Sequence, residues 1–122
     1  MVLVDTSVWI SHLRIGEPDL EILLNNGNVI CHPFIIGELA CGNLANRAEI
    51  LSLLQALPRA ECAGDEEVLY FIEKNHLMGR GIGYIDAHLL ASAVLTDTPI
   101  WTFDIQLQKT AFNLGLRAGT HE

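Results

Sequence analysis

Two short apolar runs near opposite ends of the chain, Val2-Leu3-Val4 and Ile100-Trp101-Thr102-Phe103, each pass directly into an aspartate, Asp5 and Asp104. Runs of this length, rich in β-branched and aromatic residues, read as buried strands. Helical patterns fill the chain between and around them. Thr6 or Ser7 can cap a helix through Val8, Trp9, Ile10 and Leu13. Pro18 opens a second helix that stops at Asn26-Gly27, and 28–31 reads as a strand. Pro33 starts a helix carrying Phe34, Ile35, Ile36, Glu38 and Leu39, stopped by Gly42-Asn43. Further helices are expected from Arg47 to Ala56, from a cap at Asp65 through Ile72, from Tyr84 to Leu95 and from Ile105 to Leu114. Short strands are expected over 59–62, 99–103 and 116–118. Apolar strands alternating with helices specify an α/β fold, a central parallel sheet covered on both faces. Functional residues of such sheets gather beyond the carboxyl ends of the strands, where strand order reverses.

The chain has 122 residues, half of them hydrophobic and 18% charged. One domain over 1–122 with a proper core is expected, and disorder is excluded. Every apolar run breaks well before the ~18 residues a transmembrane helix needs. The start, Met-Val-Leu-Val-Asp, lacks the basic region and cleavage pattern of a signal peptide, so a cytoplasmic protein is expected. Cys31, Cys41 and Cys62 show no zinc spacing and read as free, buried or half-buried thiols. The net charge of −8 lacks the basic footprint usual for nucleic-acid binding. Acids that gather divalent cations reverse that argument, since each ion places two positive charges where a phosphate must sit.

Of fifteen acids, most stand where a solvated carboxylate belongs. Glu17, Asp19 and Glu21, and Asp65, Glu66 and Glu67, crowd helix starts, where the macrodipole favours them. Glu49, Glu61, Glu73, Asp97 and Glu122 have polar or loop neighbours. Four differ. Asp5 and Asp104 end apolar strands, Asp86 opens an apolar helix, and Glu38 lies inside Phe-Ile-Ile-Gly-Glu-Leu-Ala. Charges in apolar settings are costly unless paired or metal-bound. No Lys or Arg lies within three residues of any of the four. One shared cation site explains them better than four separate ion pairs, and hard oxygen ligands suit Mg²⁺ or Mn²⁺.

These residues also carry a family resemblance. Val4-Asp5-Thr6-Ser7-Val8-Trp9-Ile10 resembles the opening motif of PIN-domain ribonucleases, specifically the VapC-type toxins of toxin–antitoxin pairs. Ile36-Gly37-Glu38-Leu39 with Gly42 resembles the second acidic motif, and Gly83 to Ala91 the third. Trp101-Thr102-Phe103-Asp104, followed by Leu114-Gly115-Leu116, resembles the fourth. The resemblance implies a PIN-like three-layer sandwich and Mg²⁺ or Mn²⁺ held by Asp5, Glu38, Asp86 and Asp104. It implies support from the hydroxyls of Thr6 or Ser7 and of Thr102. It further implies endonucleolytic hydrolysis of RNA to 5′-phosphate and 3′-hydroxyl ends, a homodimer, and inhibition by a small antitoxin protein. One departure stands out: the family often carries cations just after the fourth acid, whereas Ile105-Gln106-Leu107-Gln108 follows Asp104 here, and Lys109 is the first cation.

Arg14, Arg80 and Lys109 are candidates for RNA phosphate contact. Arg14 reads as an ordinary solvated cation, and Arg80 has the better claim because its loop precedes Asp86. The glycines at 79, 81 and 83 follow a helix, so they read as a turn rather than a dinucleotide cradle. His88, two residues from Asp86, falls about 200° around the helix and reads as packing or surface. Asp86 at a helix start is expected to stay ionised. Trp9, Ile10, Ile35, Ile36 and Leu39 read mostly as core, with some available to a dimer or antitoxin surface. Two other classes compete. A haloacid-dehalogenase-like phosphohydrolase needs Asp-x-Asp, which Asp5-Thr6-Ser7 lacks. A catalytically weak or inactive PIN-fold RNA- or protein-binding module is the second.

Overall fold

The computed structural model describes residues 1–118. His121 and Glu122 lie outside the described residues. Strand β1 (Val2–Val4) is central and pairs in parallel with β2 (Val29–Ile30) on one side and β3 (Ile100–Trp101) on the other. All three β1 side chains are buried. Alternate residues of a strand point to opposite faces, so both faces of the sheet are covered. Single parallel bridges extend the ladder outward, Cys31 to Arg59 beyond β2 and Ile100 to Arg117 beyond β3. The strands expected over 59–62 and 116–118 are therefore reduced to one bridge each. Their backbone partners are real but few: Cys31 N–H donates to the Pro58 carbonyl at 2.8 Å, and Ala60 N–H to the Cys31 carbonyl at 2.8 Å. The strand expected over 99–103 likewise shortens to two residues.

Seven helices occur among the described residues: α1 (Thr6–Ile15), α2 (Pro18–Asn25), α3 (Pro33–Ala40), α4 (Arg47–Ala56), α5 (Asp65–Lys74), α6 (Tyr84–Thr96) and α7 (Ile105–Asn113). Pro18 and Pro33 occupy first helical positions, where the missing N–H has no intrahelical partner to lose. Two expected caps move by one residue or more. Asp5, not Thr6 or Ser7, is the N-cap position of α1, and Gly64, not Asp65, is that of α5. The α3 carboxyl end is tied by the Arg47 guanidinium, which donates to the carbonyls of Gly42 and Ala40.

The core joins Leu3, Val4, Val8, Leu20, Ile35, Leu89, Leu90, Ile100 and Leu107. A smaller apolar seam of Ala63, Val68, Ala87 and Ala91 lies between α5 and α6. Trp9, Ile35, Ile36 and Leu39 are buried core, while Ile10 is exposed. Cys31 is buried as expected, whereas Cys41 and Cys62 are exposed and so more open than the buried or half-buried thiols expected there. No helix among the described residues is long and apolar enough to cross a membrane.

The order β2-β1-β3 reverses direction at β1. The chain leaves β1 toward one side of the sheet and returns to the other as β3. Helices α1 and α7 therefore start side by side at the carboxyl ends of β1 and β3, where Ser7 and Phe103 are hydrogen-bonded to each other.

Candidate functional site

Asp5 follows the last residue of β1 and is 7% exposed. Its carboxylate does not cap α1. Instead Oδ2 accepts two hydroxyls, from Thr102 at 2.7 Å and from Ser7 at 2.9 Å. Backbone donors orient both hydroxyls. Phe103 N–H donates to Ser7 Oγ at 3.0 Å, and Asp104 N–H donates to Thr102 Oγ1 at 3.1 Å. With a lone pair of each hydroxyl so engaged, its single proton is directed at Asp5. The 3.3 Å approach of Ser7 Oγ to Thr102 Oγ1 then carries no proton of its own. Gln108 Nε2 adds a 2.7 Å hydrogen bond to the Thr102 carbonyl, a contact that nothing in the sequence pattern announced.

Asp104 is the N-cap of α7, and its Oδ1 accepts from Leu107 N–H at 3.0 Å. Asp86 stands in the first turn of α6, where its Oδ2 accepts from Gly83 N–H at 3.2 Å. Glu38 lies on α3, and its Oε1 accepts from Thr6 Oγ1 at 2.7 Å. Each of the four carboxylates thus commits one oxygen to the scaffold. No donor among the described residues takes the other oxygen of any of them.

Electrostatics places the four in one neighbourhood. The Asp86 carboxyl is raised above its ordinary value, first by half-burial and then by the charges of Asp5, Asp104 and Glu38, against the lowering pull of Gly83 N–H. Loss of hydration and three like charges outweigh the Gly83 N–H, so the Asp86 carboxyl takes up a proton more readily than an ordinary carboxylate. Among the described residues no Lys or Arg pairs with any of the four. Burial is less uniform than the sequence suggested. Asp5 is buried and Asp86 half-buried, while Glu38 and Asp104 are exposed. Glu38 faces outward from its apolar helix, so the argument from a costly apolar setting applies to Asp5 and in part to Asp86.

Among the described residues no three His, Cys, Asp or Glu side chains stand close enough to form a ready-made metal cage. Four like charges in one neighbourhood repel one another, and a bound cation would offset that repulsion. The donor set itself fits a hard divalent ion: carboxylate oxygens only, uncompensated by any cation, with one free oxygen per residue.

His32, unremarked in the sequence, ties two of the acid-bearing helices together. It is buried at the N-cap of α3, and its Nδ1 accepts from Phe34 N–H at 3.0 Å. A backbone N–H can only donate, so Nδ1 is bare and the ring proton sits on Nε2, facing Ser92 Oγ of α6 at 3.2 Å. Burial, and then the neighbouring His88, lower the His32 pKa to about 4. A histidine directly before a helix-starting proline was the available signal. His88 is 3% exposed and packs edge-on against Phe34 and Tyr84, in keeping with a packing role. Its Nε2 lies 3.2 Å from Asp65 Oδ1 without hydrogen-bond alignment.

Of the cationic candidates, Arg80 and Lys109 line one groove, across the loop before α6 and the flank of α7. Arg14 is exposed on the last turn of α1, consistent with an ordinary solvated cation.

The profile of the PIN domain family matches residues 2–113. The chain belongs to the PIN-domain family. The matched span includes all four acids, and the parallel order β2-β1-β3 with flanking helices is the α/β arrangement expected of a PIN protein. This PIN protein is also 40% identical over 117 residues to the proteins called Ribonuclease VapC32 from two strains of Mycobacterium tuberculosis, CDC 1551 / Oshkosh and H37Rv. The match covers 95% of this chain and 94% of each relative. It places this PIN protein with the VapC-type members.

Proposed function

We propose that this chain is a metal-dependent endoribonuclease, the toxin of a toxin–antitoxin pair, with residues 1–122 forming a single PIN-like domain. The family and the ribonuclease name of its relatives support the activity class. One observation carries the site assignment: four carboxylates, three at helix starts and Glu38 within α3, share one electrostatic neighbourhood, and each keeps an oxygen free of scaffold hydrogen bonds.

In this reading Asp5, Glu38, Asp86 and Asp104 hold Mg²⁺ or Mn²⁺. When bound, the metal supplies a hydroxide near neutral pH and charge to stabilise the phosphodiester oxygens. The chain's own part is positioning. Thr102 and Ser7 fix the Asp5 carboxylate, Thr6 fixes Glu38, and the first turns of α6 and α7 fix Asp86 and Asp104. Arg80 and Lys109 attract substrate phosphates. A homodimer, a small antitoxin partner and a cytoplasmic location complete the proposal.

The test is cleavage of a fluorescent RNA with and without Mg²⁺ or Mn²⁺. Asp5→Asn keeps the shape of the side chain and removes its charge. Near-complete loss of metal-dependent cleavage in Asp5→Asn is expected, with wild-type folding by circular dichroism. Full activity in that variant, from a preparation free of other nucleases, would overturn the assignment. RNA binding without metal-dependent cleavage by the wild-type chain would instead favour the inactive-module reading.

A further inference from the structure

The groove that holds Arg80 and Lys109 has a volume of 450 Å³ and is also lined by Gly79, Gly81, Gln106 and Asn113. A second groove of 370 Å³ is lined by Gln108, Lys109, Phe112, Asn113 and Arg117. Lys109 and Asn113 belong to both, so the two run together along α7. Neither groove has an acidic residue in its lining. In a chain with fifteen acids against seven cations, an acid-free stretch holding three cations is unusual. The remaining cations are dispersed. Arg47 is spent on helix carbonyls, and Lys74 shares its pocket with Glu66 and Glu67.

The three groove cations are open to a ligand. Arg80 gives its Nε to the His76 carbonyl at 3.0 Å, which anchors the side chain and leaves both terminal amino groups without an acceptor among the described residues. Neither Lys109 nor Arg117 makes an ion pair among the described residues. On its far side Arg117 borders a pocket containing Glu17 and Asp19, which marks the end of the acid-free stretch. Phe112 lines the second groove together with Lys109 and Arg117, and 63% of its surface is exposed, which leaves the ring face open to a ligand. Gly81 allows the Arg80 loop to approach α7: at φ +77° an added Cβ would lie 3.2 Å from Gln106 Cγ.

Helix α7 begins at Asp104, one of the four acids. Lys109 is five residues on, about 7.5 Å along the axis, and Asn113 about 13 Å. The track therefore leads away from the proposed cleavage site. Cations that follow a backbone, amides, and an exposed aromatic ring are the parts of a single-strand binding groove. We propose that single-stranded RNA flanking the scissile phosphate lies along α7, with Arg80, Lys109 and Arg117 on its phosphates and Phe112 stacked on a base. This rests on the ribonuclease reading and extends it. It also accounts for the uncharged stretch after Asp104, because the cations stand farther along α7 and on the facing loop.

The experiment measures binding of a short fluorescent oligouridylate to the full chain carrying Asp5→Asn, in Mg²⁺, across a salt series. Each of Arg80→Gln, Lys109→Gln and Arg117→Gln should weaken binding about 5-fold at 0.1 M salt and lower the salt slope by about 0.7. Phe112→Ala should weaken binding about 5-fold or more with the slope unchanged. Arg14→Gln should change neither. In the cleavage-competent chain, the same groove variants should raise KM and leave kcat close to wild type. Unchanged affinity and slope in all three cation variants would overturn the track while leaving the nuclease assignment standing. Equal affinity for duplex RNA would overturn the single-strand assignment. Absence of RNA binding by the parent, with an acidic peptide bound through the same three cations, would give the groove to a protein partner and overturn the proposal.

Discussion

Thr102 uses its hydroxyl twice, accepting from Asp104 N–H and donating to Asp5 Oδ2, so one side chain sets the relation between two strand-end acids. Thr102→Val keeps the shape and removes both interactions. Partners of this kind typically contribute 10–100-fold in metal affinity or activity. Metal-dependent cleavage by Thr102→Val should fall by about that factor, and Thr102→Ser should recover most of it, read from the Mg²⁺ dependence of the rate. His32 acts on stability. Its pKa is about 4 in the fold against an ordinary 6.5. The unfolded chain therefore binds more proton between those values. The associated stability is fully present above pH ~6.5 and is lost as pH falls toward 4, by about 3 kcal/mol. His32→Asn retains a cap acceptor for Phe34 N–H and removes the titration. Urea unfolding of that variant should show a flatter fall in stability between pH 6.5 and 4. An unchanged profile would mean that other groups carry the acid sensitivity.

At the scale of elements, helix starts do most of the positioning. Asp5 and Asp104 are N-cap residues because β1 and β3 turn straight into α1 and α7, and Asp86 reaches back to the N-cap N–H of α6. The other end of α6 is less well suited to its residue. Asp97 is its C-cap with φ 54° and ψ 52°, an exposed acid in the left-handed region at the negative end of the helix dipole. Both features oppose the fold. Asp97→Gly should stabilise the protein by about 1 kcal/mol and raise Tm by about 4 °C in a thermal melt. A lower Tm would show that the Asp97 side chain makes a compensating contribution. Helix boundaries were legible because proline and glycine mark them. Strand lengths were not, because ladder length depends on how far a neighbouring segment runs alongside, and the flanking segments at Arg59 and Arg117 meet the sheet for one bridge only.

Across the whole molecule, a net charge of −8 and four uncompensated acids at one sheet edge make the metal-free protein self-repulsive there. An ion that binds only the folded chain stabilises it by about 2.7 kcal/mol at one hundred times its Kd. At about 4 °C per kcal/mol this is a Tm rise of roughly 10 °C. Mg²⁺ or Mn²⁺ should raise Tm in wild type, and EDTA should reverse the rise. Replacing both Asp5 and Asp104 with Asn should abolish the metal effect. A metal-induced rise that survives the double substitution would place the ion elsewhere.

The sequence by itself determined the fold class, because period and punctuation are local. It also placed Asp5 and Asp104 at the ends of two buried strands, because only such strands explain the apolar runs before them, although only Asp5 of the two proves buried. It could not show that Glu38 faces outward, that Thr102 and Ser7 share one oxygen of Asp5, or that His32 bridges α3 to α6. Apart from the local Ser7–Asp5 contact, those relations rest on hydrogen bonds between residues 32 to 97 positions apart and depend on how the sheet order reverses at β1. The same reversal brings the start of α7 beside the end of β1, and packing alone sets Arg80, Lys109 and Arg117 along one flank of that helix. Local chemistry named the acids; only tertiary structure decided which oxygens remained free and where the cations that accompany them stand.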